Sequence, residues 1–504
     1  MQFLELLRQE LRLRLDHAEG GSLLRVFALD MAHLIPLARR ELLGIRFDVT
    51  LAQTQISAAD EDMSRLDSQL VSILGRVNFT SPVEVKNAFK EKLGIDLTST
   101  AKTALRPLME NCEAARLLRG WRKARALKAE LQRLLEHVHP DGRLYPQLDS
   151  LGSDTGRIIS SRPTLNNLSV DTGKRACILP DSPDDMIINP DFSREEPTIF
   201  AVEFKVKRLL DDINAGRDIY QGFAAEIYKD LTVGALSEGQ LVVGKTHFLA
   251  IGYGEKPQAL IRSAWEKEGR IMSEEEANRI FRAHMTCYPE IHEAIRRERH
   301  AARLGKIRFG LSKLGRRRLL LAYRQKPTAS FISSELTKAK LRFFGSIPVA
   351  SRTEKLAKSS PPEGKSSRLT ARSEQKGQEI LAAREQWIKW EEEALPEALR
   401  RIAELWAVKE KYRVIWAAQI LAINFKIQAG GSDVLRWVEI KLEERLPASA
   451  RVIFSNHDEV LVSCPRDLKS EVAEIIRATM CKGLSTLYPG VNVVAKVQFG
   501  NTWQ

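Results

Sequence analysis

The chain has 504 residues, with 78 Lys and Arg against 65 Asp and Glu, a formal net charge of +13 and a pI near 9.4. That length can bury a sizeable core and hold several subdomains, and the basic balance favours a polyanionic partner, although a charge run is usually just a solvated face. Five scattered cysteines without C-x-x-C spacing argue against a zinc or disulfide framework and fit a reducing, cytoplasmic-type compartment; no apolar run approaches the roughly 20 residues of a membrane span, and Glu5 and Glu10 among the first arginines argue against a secretory or transit leader.

Residues 1–50 read as helix, with Leu4, Leu7, Leu11 and Leu15, then Leu23, Phe27, Met31, Leu34 and Leu37, at helical spacing. From about Asp60 to Val138 the pattern stays helical. Asp60-Glu61-Asp62 reads as solvated or capping residues at a helix start, and the later helix carries a basic stripe of Arg116, Arg119, Arg122, Lys123, Arg125, Lys128 and Arg133. His139-Pro140-Asp141-Gly142-Arg143 is turn chemistry that ends this region. Next come Asp154-Thr155-Gly156-Arg157, Ser160-Ser161-Arg162-Pro163 and Asn166-Asn167, then an apolar run, Ile187-Ile188, predicted to be a strand that ends by projecting Asp191.

Ser237 and Gln240 are spaced as a capping box, opening a helix on which Leu241, Lys245, Leu249 and Tyr253 share a face. Lys245 and Tyr253 lie about 12 Å apart along its axis, close to the reach from a nucleotide's triphosphate to its base. Gly239 to Thr246 also fits the P-loop pattern G-x-x-x-x-G-K-[ST], but the segment before it is short and polar-ended where a P-loop needs a buried strand. Residues 351–378 read as a flexible basic linker and 379–410 as helix. The run Val452 to Val462 reads as a hairpin turned at His457-Asp458-Glu459. Two apolar runs, each delivering an Asp, suit a pair of hard cations, which need oxygen ligands on rigid backbone.

In this order the segments resemble the family A (Klenow-like) DNA polymerases, from about residue 30 to the C-terminus apart from one long insertion. Asp154–Asn167 is similar to T-G-R-h-S-S-x-x-P-N-L-Q-N, Arg217–Tyr228 to the R-D-I-H segment, Gly315–Arg318 to G-R-R-R, and Ala422–Asp433 to A-I-N-F-P-I-Q-G-T-A-A-D. The resemblance implies an α+β, right-hand polymerase fold. Its parts would be an N-terminal helical lead-in (1–50), a helical thumb (51–140), an antiparallel-sheet palm (141–212 and 411–504), helical fingers (213–330) and an insertion (331–410).

The implied chemistry is template-directed addition of deoxynucleotides to a primer 3′-hydroxyl. Asp191, Asp458 and the Phe192 backbone carbonyl would hold two Mg²⁺ ions, with Mn²⁺ as a substitute, and Glu459 would be an outer carboxylate. Lys245 would neutralise the triphosphate, Glu196 would block a ribose 2′-hydroxyl, Tyr253 and Leu249 would flank the nucleotide, and His457 would meet the primer end. Arg157, Asn166, Asn167, Asn424, Gln428 and Lys128 would contact primed DNA template. The implied partners are primed template, dNTPs and a separate processivity or exonuclease factor, since the chain has no room for a proofreading module; no membrane is implied.

Departures are visible at Arg194, which takes a Gln position, at Leu241, where the family has Arg, and at Leu249, where it has an aromatic. Phage-like lineages share the G-K-x-x-x-L-x-x-G-Y-G form of Gly244–Gly254, and His247 or Arg175 would compensate for the lost cation. Two other readings stay open: a nucleic-acid-binding protein with impaired catalysis, and a P-loop ATPase.

Overall fold

The computed structural model describes residues 22–109, 111–168, 173–192, 194–229, 235–264, 270–304, 309–319, 327–358 and 371–503. The chain divides into two compact units, Met1–Leu319 with Ile420–Gln504, and Leu320–Gln419.

In the first unit, helix α1 (Ser22–Leu43) ends at Gly44, whose φ of +63° reverses the chain beside the Tyr145 ring. The expected helix over residues 1–50 therefore stops here, and its first 21 residues lie outside the described ones. Ile45–Phe47 forms strand β1 instead, because β-branched and aromatic side chains suit a pleated, half-buried surface. Helix α2 (Val49–Leu74) starts at Asp48, whose carboxylate accepts from the Leu51 amide at 2.8 Å. Helix α3 (Pro82–Leu93) and helix α4 (Glu113–Leu135) pack with it around Leu70, Leu74, Phe89, Leu118 and Trp121.

Strands β2 (Arg143–Leu144), β3 (Gln147–Asp149), β4 (Ile159–Ser161) and β5 (Ile178–Leu179) are short. β1 pairs antiparallel with both β2 and β5, and β3 with β4. Strand β6 (Asp185–Phe192) is followed by helices α5 (Glu195–Glu203), α6 (Lys207–Asn214), α7 (Ile219–Tyr228), α8 (Glu238–Gly252), α9 (Pro257–Ser263), α10 (Glu274–Cys287) and α11 (Pro289–Arg303). The capping box at the head of α8 is formed: the Ser237 amide donates to Gln240 and the Gln240 amide to Ser237. A hairpin of β7 (Phe309–Leu311) and β8 (Arg317–Leu319) closes this part.

The second unit is helical. α12 (Ala329–Phe344), α13 (Ile347–Ala357), α14 (Ala371–Lys389) and the beginning of α15 (Leu395–Arg445) enclose a small core of Phe344, Ala350, Trp387 and Trp390. This corrects the reading of 351–378 as a flexible linker: its two ends are helical, as their Ala, Glu, Lys and Arg content favours, and 359–370 lie outside the described residues.

Back in the first unit, the 51-residue α15 carries Asn424 to Asp433. Strands β9 (Arg451–Asn456) and β10 (Glu459–Pro465), helix α16 (Lys469–Leu487) and strand β11 (Ala495–Gly500) complete an antiparallel sheet of order β11-β6-β10-β9. Its Ile188, Val460 and Val462 face a core shared with Ile476, Met480 and Leu484 of α16. The arrangement is α+β, as expected.

Candidate active site

The sheet brings the two aspartates together. β6 and β10 pair with Asp191 opposite Glu459, and Asn456 opposite Glu459 leaves His457-Asp458 as a two-residue turn. His457 takes a φ of 60°, a conformation that glycine or Asn usually supplies in such turns. Asp191, Phe192, Glu196, Arg157, Lys245, Leu249, His457 and Asp458 all line one cleft of about 750 Å³, together with Leu241, Arg194, Glu195 and Lys496.

Crowded acids set the electrostatics. Partial burial, then the Asp458 and Glu459 carboxylates, push Asp191 up to about 7, and Lys245 acts the other way. Asp458 is raised by burial, with Arg157 opposing. Glu459 is raised by burial and held back by Arg175, whose guanidinium lies 3.3 Å from both its oxygens. His457 is lowered by burial and by Arg157.

Two expected contacts are structural instead. Arg175 is buried, stacks 4.0 Å from the Trp503 ring centre and donates to the Leu168 carbonyl, so it orients Glu459 and does not enter the cleft. His247 is fully buried in the inward face of α8. Neither replaces the cation missing at Leu241. Tyr253 is the C-cap of α8, with its hydroxyl strongly raised by burial and by Glu196, and it lies outside the cleft lining.

The nucleic-acid candidates divide in the same way. Arg157 donates to Glu196 at 3.0 Å. Asn166 accepts from the Ser160 amide and hydroxyl and donates to Asn456 at 3.3 Å, which ties its loop to the β9–β10 hairpin. Asn167 is exposed, and Asn424 and Gln428 are half-buried one turn apart on α15. Lys128 is held by Asp60 at 2.5 Å; Asp60 lies mid-helix in α2, not at a helix start. On the basic stripe Arg116 and Arg122 donate to backbone carbonyls, whereas Lys123, Arg125 and Arg133 stay exposed.

The P-loop alternative does not survive. Gly239 to Thr246 lies inside helix α8: from Leu241 onward the backbone amides are engaged in helical hydrogen bonds and the Gln240 amide is taken by the Ser237 cap, so they do not form a loop that cradles a phosphate. Gly244 serves packing: a Cβ there would lie 2.7 Å from the Tyr220 carbonyl oxygen.

Two features escaped the sequence reading. Arg316 is buried and bridges Asp433 at 2.7 Å and Asp30 at 2.6 Å, while Ser312 donates to Asp433 at 2.6 Å. Arg316 also packs on Gly156, where a Cβ would sit 3.0 Å from its side chain, and Ser432 donates to the Gly156 carbonyl. The network thus fixes the backbone just before Arg157.

The second feature is Glu195, nearly fully buried beside the cleft, its carboxyl pushed well up by burial and by Asp458. It fits only because residue 431 is Gly: a Cβ there would lie 2.9 Å from Glu195 Oε2. Gly431→Ala alone is expected to cost about 1–3 kcal/mol through overpacking. In a Glu195→Val background most of that loss should disappear. Denaturant unfolding of the double-mutant cycle checks this, and simple additivity would refute the coupling.

The model of DNA polymerase family A matches residues 49–335 and 390–504 and leaves 336–389 unmatched. DNA polymerase I of Aquifex aeolicus (strain VF5) is 25% identical over 301 residues, covering 58% of this chain and 51% of that protein. DNA polymerase I of Caldicellulosiruptor bescii is 26% identical over 279 residues, covering 52% and 31%. The chain therefore aligns with about half or less of these relatives' length. Among solved structures, the POL domain of Pol1 from M. smegmatis, in complex with DNA primer-template and dNTP, matches with a TM-score of 0.68 at 18% identity over 94% of this chain and 70% of that one. That likeness shows the right-hand polymerase fold.

Proposed function

Since the chain belongs to DNA polymerase family A, we propose that it is a DNA-directed DNA polymerase, adding deoxynucleotides to a primer 3′-hydroxyl in the order a template strand dictates. The observation that carries this reading is the cleft in which Asp191 and Asp458, from strands distant in sequence, face Lys245 on helix α8. In the domain roles we infer, residues 51–140 act as thumb, 141–212 and 411–504 as palm, and 213–330 as fingers.

The donor set fits hard divalent cations: two carboxyls whose pKa values burial raises, Asp191 further through the neighbouring Asp458 and Glu459, beside a backbone carbonyl at Phe192. Asp191, Asp458 and that carbonyl would hold two Mg²⁺ ions, or Mn²⁺ in their place. Among the described residues no group of three or more His, Cys, Asp or Glu is set to hold a metal alone, so phosphate and water oxygens would complete the shell. When bound, the ions lower the pKa of the attacking hydroxyl and offset charge on the triphosphate.

The chain's own residues do the rest. Lys245 faces the triphosphate and can protonate the leaving pyrophosphate. Glu196, anchored by Arg157, would crowd a ribose 2′-hydroxyl. Arg175 keeps Glu459 turned toward Asp191. Asn424 and Gln428 offer amide groups along one face of α15. Synthesis without proofreading is part of this reading: a mismatched primer end should persist during extension, and its excision would contradict it.

A labelled primer on a DNA template with four dNTPs and Mg²⁺ should extend stepwise. Salt-sensitive binding of primed template without any addition, even with Mn²⁺, would favour the impaired-catalysis reading, to which Leu241 and Leu249 in the cleft lend weight.

The raised Asp191 makes cation binding pH-dependent. Folded protein keeps a proton that the unfolded chain releases near 4. The stabilisation this gives is present below about 4 and is lost as pH rises through about 7. Cations require the deprotonated form, so Mn²⁺ affinity should climb between pH 6 and 8, with proton release on binding. Calorimetry at pH 6.5 in buffers of different ionisation enthalpy measures that release; identical heats in all buffers would contradict it.

A further inference from the structure

Among the described residues, four Lys and Arg side chains line the cleft. Two are engaged with protein: Arg157 donates to Glu196, and Arg194 donates to the Arg217 carbonyl at 2.7 Å. The others, Lys245 on α8 and Lys496 on β11, are exposed, and no hydrogen bond or ion pair holds either ammonium among the described residues.

The register explains where Lys496 stands. β11 pairs antiparallel with β6 so that Lys496 is directly opposite Asp191, and on the other side of β6 Asp191 is opposite Glu459. Directly opposed residues of an antiparallel sheet project to the same face. Lys496, Asp191 and Glu459 therefore form one cross-strand row, with the cation on the flank of Asp191 away from Glu459.

Lys245 is the one cation that α8 brings to the cleft lining among the described residues. One turn before Lys245 and one turn after it, α8 presents Leu241 and Leu249 to the cleft. A nucleoside triphosphate brings several negative charges into this space, and beside the cations a single lysine on that wall offsets only one of them.

We infer that Lys496 is a second triphosphate contact, gripping the nucleotide from the sheet while Lys245 grips it from α8, and so supplying the charge that Leu241 does not. The inference rests on the polymerase reading above and adds a nucleotide-binding residue to it.

Single-nucleotide titrations of primer extension by wild type, Lys496→Ala and Lys496→Arg test it, alongside calorimetric binding of Mg²⁺–dNTP and primer-template affinity over a range of salt. Lys496→Ala should raise the nucleotide KM about tenfold with kcat changed by less than about threefold. Lys496→Arg should stay near wild type, and Leu241→Arg should recover much of the loss in the Lys496→Ala background. An unchanged KM in an active Lys496→Ala enzyme overturns the inference. So does weakened primer-template binding with a shallower salt dependence at constant KM, which would put Lys496 on the DNA backbone. If wild type extends nothing, the polymerase reading fails separately. Calorimetry then decides for Lys496: about tenfold weaker nucleotide binding by the Ala variant upholds it, and equal binding overturns it.

Discussion

Replacing Asp458 by Asn is expected to reduce primer extension by about a thousandfold or more while leaving primer-template affinity near that of wild type. The substitution keeps shape and hydrogen-bonding capacity but removes one of the two charges that meet at the end of β6. Asp458 sits in a two-residue turn whose geometry is set by β9–β10 pairing, so Asn should keep the backbone in place. With one carboxylate gone, Asp191 loses its strongest charged neighbour and should titrate at lower pH. Rapid-quench extension beside a filter-binding measurement checks the prediction. Retention of even a tenth of the wild-type rate would mean that Asp458 does not hold the reacting groups.

The largest stability effect is expected at Arg316. Changing it to Met takes its ion-pair partner from the buried Asp433 and leaves the half-buried Asp30 to Arg436, at 3.2 Å, and losing one member of such a network costs about 3–5 kcal/mol. Arg316 also packs on Gly156, so the loss should reach Arg157 and lower activity in the molecules that remain folded. Thermal unfolding measures the first effect. The second appears as reduced extension at a temperature where circular dichroism still reports a folded chain.

The fold and the chemical centre were legible because their signals are local. Ile187-Ile188 leading to Asp191, the hairpin around His457-Asp458 and the capping box at Ser237 each state their structure within a dozen residues. What stayed hidden depends on partners far away in sequence. Arg175 and Lys128 look like free cations until the fold supplies Glu459 and Asp60. Glu195 carries no signal of its own, and only the fold shows Gly431 making room for it. Ile45–Phe47 reads as the end of a helix because its strand partners lie about a hundred residues or more downstream. Lys496 carries no motif at all, and only the β11–β6 register places it beside Asp191.

The strand order β11-β6-β10-β9 also governs how the protein comes into being. β6 is synthesised long before β10 and β11, the two strands that flank it, and contacts such as Arg175–Glu459 span 284 residues. Until those strands emerge from the ribosome, β6 offers two unpaired edges and an aspartate without its counterpart. Helices made of local contacts form early, whereas such distant pairing must first overcome the entropy of closing a very long loop. Refolding from denaturant should therefore restore helical signal well before activity, and in the interval the exposed edges of β6 make it the segment most in need of a chaperone.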